Sequence, residues 1–577
     1  MYVTRALAPA ATGGEKKSVV ASAGISGAGQ GMPSQGRALL AHLVAGGRKE
    51  MSRIYSPVLR KGSTLTVLLS LGLGALTTIM MLIASLSTGM LVIIEQDLSR
   101  FWRTTYDILV RPAGTRSPIE EKYGLVEANH LSGIPGGISF AQYEEIRDIP
   151  EVEVAAPVAM LGYLMEEIPV HNFGLPSEEG LYEKVTGIIQ DDGVHPPTFR
   201  PIVTGYYYIT PSAQERNVPG INVNPPTGIG DYFDMPFLLA GIDPAQEAAL
   251  VGLDRALVKG AFLSGEEALP IKTDVDYMGN PISRTHIPVL INATPYISLT
   301  LRTELWRVVL PAEISGLDDL AAQSPEYRRS LPRQLIAVQE SNSEALYRKV
   351  VENLFHRTAS FALLHESLIG IPSPIQYREL APPFSVEEDV VLEIVLPPEA
   401  EEQPKVWTVG SLYGERPYRE GSLVAVGDER ARVGAFFSIY TKGVFDIEMI
   451  PRPMDVSRVP LETYFPPVSI LRYDEEGHPV APRVLRPTLN WAGYIQPPPL
   501  LLTTLQAARL LRGDDCISAI RVRVGGIDQL TPQAQSKIEA VASEIHRKTG
   551  LDVDIMVGSS PRRLLVHIPG IGYVEEQ

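Results

Sequence analysis

The sequence predicts an α+β protein: one N-terminal transmembrane helix, then a large extracytoplasmic domain with two βαβ-like units and a mainly β insertion. Three observations predict this. Residues 62–94 form a run of 33 without a single charge. A strand-helix-strand pattern follows over 106–158, and the same pattern returns over 520–557.

Each charge carried to the centre of a bilayer costs roughly 2.5 to 3.5 kcal/mol, and about 20 apolar residues cross the hydrocarbon. The run from Gly62 to Ile94 therefore reads as a spanning helix with length to spare. A cleaved signal peptide has an apolar region of only about 7 to 15 residues close to the N-terminus, so an uncleaved anchor is expected. Before the run stand Arg48, Lys49, Arg53, Arg60 and Lys61 against Glu50, whereas Glu95 and Asp97 open the far side. The positive-inside bias places the N-terminus in the cytoplasm and the bulk of the chain outside, at the cell membrane.

Residues 1–61 are rich in Ala, Gly and Ser, lack a sustained apolar period and are expected to be a disordered cytoplasmic tail. Met51, with Arg53, Arg60 and Lys61 after it, would supply a complete flank by itself and is an alternative start. Nine Lys and Arg against two acids in residues 1–61, within an overall charge of -16, leave the remainder at a net -23. A body this acidic repels nucleic acid. Gly 49 and Pro 48 exceed the average share and imply many turns and short strands. Roughly 480 residues outside the membrane exceed one ordinary core, so two or more domains or subdomains are expected. Cys516 is the only cysteine, which excludes an intramolecular disulfide and cysteine-based zinc sites.

In the first unit, Tyr106, Ile108 and Val110 alternate with polar residues up to Pro112. Ser139 and Gln142 are spaced as a capping box before Phe140, Tyr143 and Ile146; Pro150 ends that helix, and Val152, Val154, Ala156 and Val158 resume alternation. In the second unit, Ile520, Val522 and Val524 alternate with Arg521 and Arg523. Thr531-Pro532 opens a helix with Ile538, Val541, Ala542 and Ile545 on one face and Lys537 outside it, Gly550 stops it, and Val553, Ile555 and Val557 form the next strand. The two units are expected to pack as one sheet with helices on one face. Residues 95–164 and 506–577 are then two halves of one subdomain, and 165–505 is an inserted, mainly β subdomain. Within it, Gly205 to Tyr208, Phe237 to Leu239, Ile287 to Ile291 and Val444 to Ile450 read as strands. A broken helix spans Asn342 to Leu368, Pro397 to Pro404 reads as an acidic linker, and a short helix surrounds Thr504 to Leu511.

Motifs for chemistry are missing. No phosphate-binding G-x-x-x-x-G-K-[ST] occurs, so nucleotide energy has to come from another chain, and no H-E-x-x-H occurs among ten histidines. Asp274-Val275-Asp276 begins like a calcium loop but has Met278 where a ligand belongs. Gly558-Ser559-Ser560-Pro561 lacks the elbow of a nucleophilic serine and reads as a turn between two strands. Tyr206 to Tyr208 with Tyr232 and Phe233 read as strand core, with a carbohydrate or lipid groove as the alternative. No catalytic, cofactor-binding or metal residue is assigned, and no cofactor is expected.

The apolar helix, the stretch Ser139-Phe140-Ala141-Gln142-Tyr143-Glu144-Glu145-Ile146 running into Ile149-Pro150-Glu151-Val152-Glu153-Val154-Ala155-Ala156-Pro157, and the turn Thr549-Gly550-Leu551-Asp552-Val553-Asp554-Ile555 resemble bacterial ABC-transporter permeases of the MacB and FtsX type. The resemblance covers about 62–165 and 505–577. It implies a non-catalytic subunit that couples a separate cytoplasmic ATPase to an extracytoplasmic domain, in export or in mechanical signalling, as a homodimer or heterodimer of permeases. In that family three more helices follow the domain, so a truncated frame or a split gene is expected. The rival expectations are a single-pass anchored hydrolase with its site in the insertion and a cell-surface receptor or adhesion protein.

Overall fold

The computed structural model describes residues 104–576 and the backbone of Tyr2–Val3 and Arg5–Ala6, apart from 128–129, 212–215, 276–280, 315, 357–367, 383, 385–389, 399–414, 426–435, 452–458, 460, 462, 528, 530 and 558–562. The apolar run at 62–94 lies outside these residues. Among the described residues no helix is long and apolar enough to cross a membrane. The molecule is a mixed α/β structure dominated by sheets.

Both expected units form. Helix Phe140–Arg147 begins at Ser139, whose Oγ accepts from the Gln142 amide while the Gln142 side chain accepts from the Ser139 amide. Helix Pro532–Thr549 begins at Thr531 and stops at Gly550, which holds φ +70 in the left-handed region that a side chain disfavours. Their strands interleave. Asp552–Ile555, Ile108–Arg111, Ala519–Val524 and Val152–Phe173 lie side by side in that order, each pair antiparallel. In chain order this is 4-1-3-2, the arrangement of a ferredoxin-like split βαβ module. Tyr143 and Ile146 of one helix and Ile538, Val541 and Ile545 of the other cover Ile108, Val110, Ile520 and Val522 on one face. Gln142 Nε2 donates to the Thr549 carbonyl at 2.9 Å, joining the two helix ends.

The boundaries at 164/165 and 505/506 are not structural ones. Strand Val152–Phe173 runs through the first and from Val158 onward pairs with Ile229–Ile242. Leu501–Thr504, Pro281–Asn292, Phe436–Phe445 and Leu257–Gly260 then extend the same sheet. Residues 104–576 fall within one compact unit. The sheet is also covered on both faces: helix Pro244–Val251, Tyr464 and Trp491 pack against Leu109, Ala156 and Val158 on the side away from the two module helices. For that reason Arg521, on the polar side of the expected alternation, is buried, and its guanidinium meets buried Glu247 at 2.6 Å.

Two further sheets flank this core. One has the order Arg333–Asn342, Leu299–Val308, Gly180–Gln190, Phe199–Ile209, Ile221–Val223, Arg216–Val218. The other runs Tyr377–Glu379, Val391–Ile394, Leu564–Ile568, Gly572–Glu576, Ser469–Tyr473, Pro479–Val484. The second corrects the reading of the C-terminal region. Leu564–Ile568 and Gly572–Glu576 form a hairpin in the middle of a sheet whose other strands come from the expected insertion. The strand expected over Val444 to Ile450 ends at Phe445, because Asp446 accepts from the Glu448 amide and starts a 3-10 turn. The helix after Asn342 is Ser343–His356, and the short helix is Leu505–Arg512. The linker from residue 399 onward lies outside the described residues. Tyr2–Val3 and Arg5–Ala6, expected within a disordered tail, pair with Leu125–Val126 and with Asp554 and Ile555.

Candidate functional site

A cleft of about 440 Å³ opens where the second and third sheets meet. Four chain segments wall it: the loop after Gly180–Gln190, residues 415–418, residues 485–495 and the hairpin turn at Gly570 and Ile571. Its volume falls in the range of small-molecule sites.

Two glycines set how closely these segments approach. Gly193 (φ +84) lies so near strand Pro479–Val484 that a Cβ would stand 2.0 Å from the Val484 carbonyl oxygen. Gly570 (φ +89) leaves room for Arg416, whose guanidinium a Cβ would meet at 2.9 Å. The loop is fixed further by the Arg486 amide, which donates to the Asp192 carbonyl at 2.9 Å.

The polar wall is largely preorganised. Glu415 accepts from Gln190 Nε2 at 2.5 Å, from Thr488 Oγ1 at 2.9 Å and from Arg200 at 3.1 Å. Burial nevertheless dominates and raises its carboxyl above the ordinary range, with those bonds opposing. Asp192 goes the other way: burial would raise it, but bonds from the His195 ring and from the Val194 and His195 amides lower it. Burial also pushes the Tyr418 hydroxyl up to about 12. Arg486 pairs with Asp191 at 2.5 Å and His195 with Asp192 at 2.6 Å. Arg416 donates to the Pro569 carbonyl at 3.2 Å and meets no carboxylate among the described residues. A carboxyl raised by burial, in a cleft and among arginines, makes this wall the candidate binding site.

A second polar group lies on the inner side of the second sheet. Ser341 Oγ is 2.8 Å from His171 Nε2, His171 Nδ1 is 2.8 Å from Thr303 Oγ1, and Thr303 donates to Asp231 at 2.8 Å. Lys184 closes the network on Asp231 at 2.8 Å. The order resembles a nucleophile, base and orienting acid. However, Ser341 does not line the adjoining cavity of about 310 Å³, which His171 and Asp231 do. The network satisfies groups buried between strands.

The residues considered from sequence lie elsewhere. Tyr208 and Phe233 are buried core, whereas Tyr207, also buried, lines the cavity of about 310 Å³. Asp274 and Val275 end strand Ile271–Val275, with Asp276 outside the described residues, as is Gly558-Ser559-Ser560 with Pro561. Asp474, Glu476 and His478 gather at an exposed hairpin turn. The cleft itself carries no motif. Its acids and arginines are ordinary surface residues in sequence and converge only because the C-terminal hairpin inserts between strands Val391–Ile394 and Ser469–Tyr473.

Fold and cleft together define a β-rich α/β protein built on a ferredoxin-like module, with a polar cleft of small-molecule size. Comparison with protein-family models, curated proteins and solved structures gives no match.

Proposed function

We propose that the chain is the membrane-anchored extracytoplasmic element of an ABC-type permease system, working as a binding and mechanical subunit beside a separate cytoplasmic ATPase. The observation that carries this is where the chain enters and leaves the module. The segment arriving from the apolar run enters at Asp107, and the last module strand leaves at Met556, whose amide donates to the Asp107 carbonyl at 2.8 Å. A split βαβ sheet brings its entry and its exit to one end, so the module can hang from the segment before Asp107 while the chain passes on to the hairpin Leu564–Ile568 and Gly572–Glu576. The cleft is then the contact for whatever the system carries or senses.

The test is topological. A reporter active only outside the cytoplasm should work when fused after Gly114 and fail when fused after Arg60; the reverse pattern overturns the proposal. The pairing of Tyr2–Ala6 with Leu125–Val126 and Asp554–Ile555 favours a second reading, with the N-terminus on the same side as the body. Activity of both fusions would establish that second reading and remove the crossing at 62–94.

A further inference from the structure

We infer that the cleft between the second and third sheets takes a small molecule bearing an oxyanion, a carboxylate or a phosphate ester, on a polar body about the size of a sugar. This rests on reading the cleft as the binding element of the anchored body. Charge pairing within the cleft leads to it. Arg200 is matched by Glu415 and Arg486 by Asp191, while Asp192 is held by hydrogen bonds from the His195 ring and the Val194 and His195 amides. Among the described residues Arg416 meets a carbonyl alone, at the mouth formed by Gly570. Glu475, on the same rim, is engaged by the Gly570 amide.

The donors are also in excess. Arg416 and Arg486 each commit one terminal nitrogen, out of five N–H groups in a planar fork that suits carboxylate and phosphate. Three acceptors of the wall are engaged: Gln190 Oε1 takes the Leu489 amide, Asn490 Oδ1 takes the Ala492 amide and Glu415 holds three donors. A ligand that brings acceptors and negative charge is complementary to such a wall, and one that brings cations is not. An apolar tail laid over Arg416 would strand its free N–H groups.

The experiment is calorimetric titration of the full-length chain in detergent with three probes: glucuronate, glucose 6-phosphate and glucose. At least one of the two acids should bind and glucose should not. Binding of glucuronate alone assigns a carboxylate, and of glucose 6-phosphate alone a phosphate ester. Arg416→Gln should weaken the acid by about tenfold or more, Arg416→Lys should restore part of the loss, and Glu415→Gln should tighten binding by removing a negative charge from the wall. An unchanged thermal midpoint shows that Arg416→Gln is folded, as its single bond to Pro569 leads one to expect. The inference is overturned if neither acid binds, if glucose binds as well as the acids, or if Arg416→Gln binds unchanged. The fusion experiment is independent of these outcomes, so a lost ligand with the expected topology refutes this inference alone.

Discussion

His130 is buried just before the 3-10 turn Leu131–Gly133, its Nδ1 3.0 Å from the Glu127 carbonyl. Burial first, and then the positive charge of Arg111, push its pKa down to about 3 from an ordinary 6.5. Between those values the unfolded chain takes up a proton that the folded one refuses. Its contribution to stability is therefore complete above pH 6.5 and is lost as pH falls toward 3, with a slope of at most about 1.4 kcal/mol per pH unit. Urea unfolding from pH 7 to pH 4 should show this slope, and His130→Gln should reduce it; equal slopes in the two proteins would refute the assignment. Cys516 is a second case. It is buried in the core beneath the module helices, where burial pushes the thiol up to about 11. Iodoacetamide should leave it unmodified at pH 8 in the native protein and label it in urea, because the thiolate is the reacting form. The Cys516 environment is not legible in sequence, since core residues hundreds of positions away, such as Ile138 and Ile146, build it; the partners of His130, Glu127 and Arg111, are close in sequence, but only the fold buries the ring among them.

At the scale of elements, what could be read from sequence was whatever depends on local periodicity and caps. Ser139 with Gln142, Thr531 with Pro532, and Gly550 each announce a helix end through a bond made within three or four residues, and the structure has all of them. Sharing of one sheet by the two units followed from their uncovered faces. The interleaved order did not, because pairing of Ile108–Arg111 with both Ala519–Val524 and Asp552–Ile555 is a long-range choice. The second cover over the sheet was equally hidden, which is why Arg521 was read as a polar-side residue. Helix Pro532–Thr549 gives the direct test. Val541 is 3% exposed, so Val541→Asp should cost about 3 to 5 kcal/mol by burying an unpaired charge. Lys537 lies outside the helix's apolar face, yet its Nζ donates to the Gly525 carbonyl at 2.6 Å. Lys537→Asp should thus cost roughly 1 to 3 kcal/mol through the lost charge-assisted bond. Chemical denaturation of both variants checks the ranking, which fails if Lys537→Asp is as damaging as Val541→Asp.

Across the whole molecule, the C-terminal hairpin links the module to the cleft. Leu564, Val566, Ile568 and Val574 are each fully buried in the core of the third sheet, beside Ile119 and Leu125 from the first module loop. Each such side chain contributes about 1.5 to 3 kcal/mol, so the hairpin carries stabilisation comparable to the total of about 5 to 15 kcal/mol that a native protein holds. Removing it would also leave Val391–Ile394 and Ser469–Tyr473 without the strands that lie between them. The module touches the hairpin core through Ile119 and Leu125 of its first loop, while its two helices pack in a different cluster. Its four strands, its two helices and the Arg111 ion pairs with Glu120 and Asp554 are all contained within residues 108–173 and 519–555. A chain ending at Val557 should therefore keep helix Pro532–Thr549 protected in hydrogen exchange, while amides in Val391–Ile394 and Ser469–Tyr473 lose protection. The cleft, which needs Gly570 and Ile571, should be lost with them. Uniform loss of protection, the module helix included, would mean that the three sheets unfold together and that the hairpin supports the whole body rather than the cleft side of it.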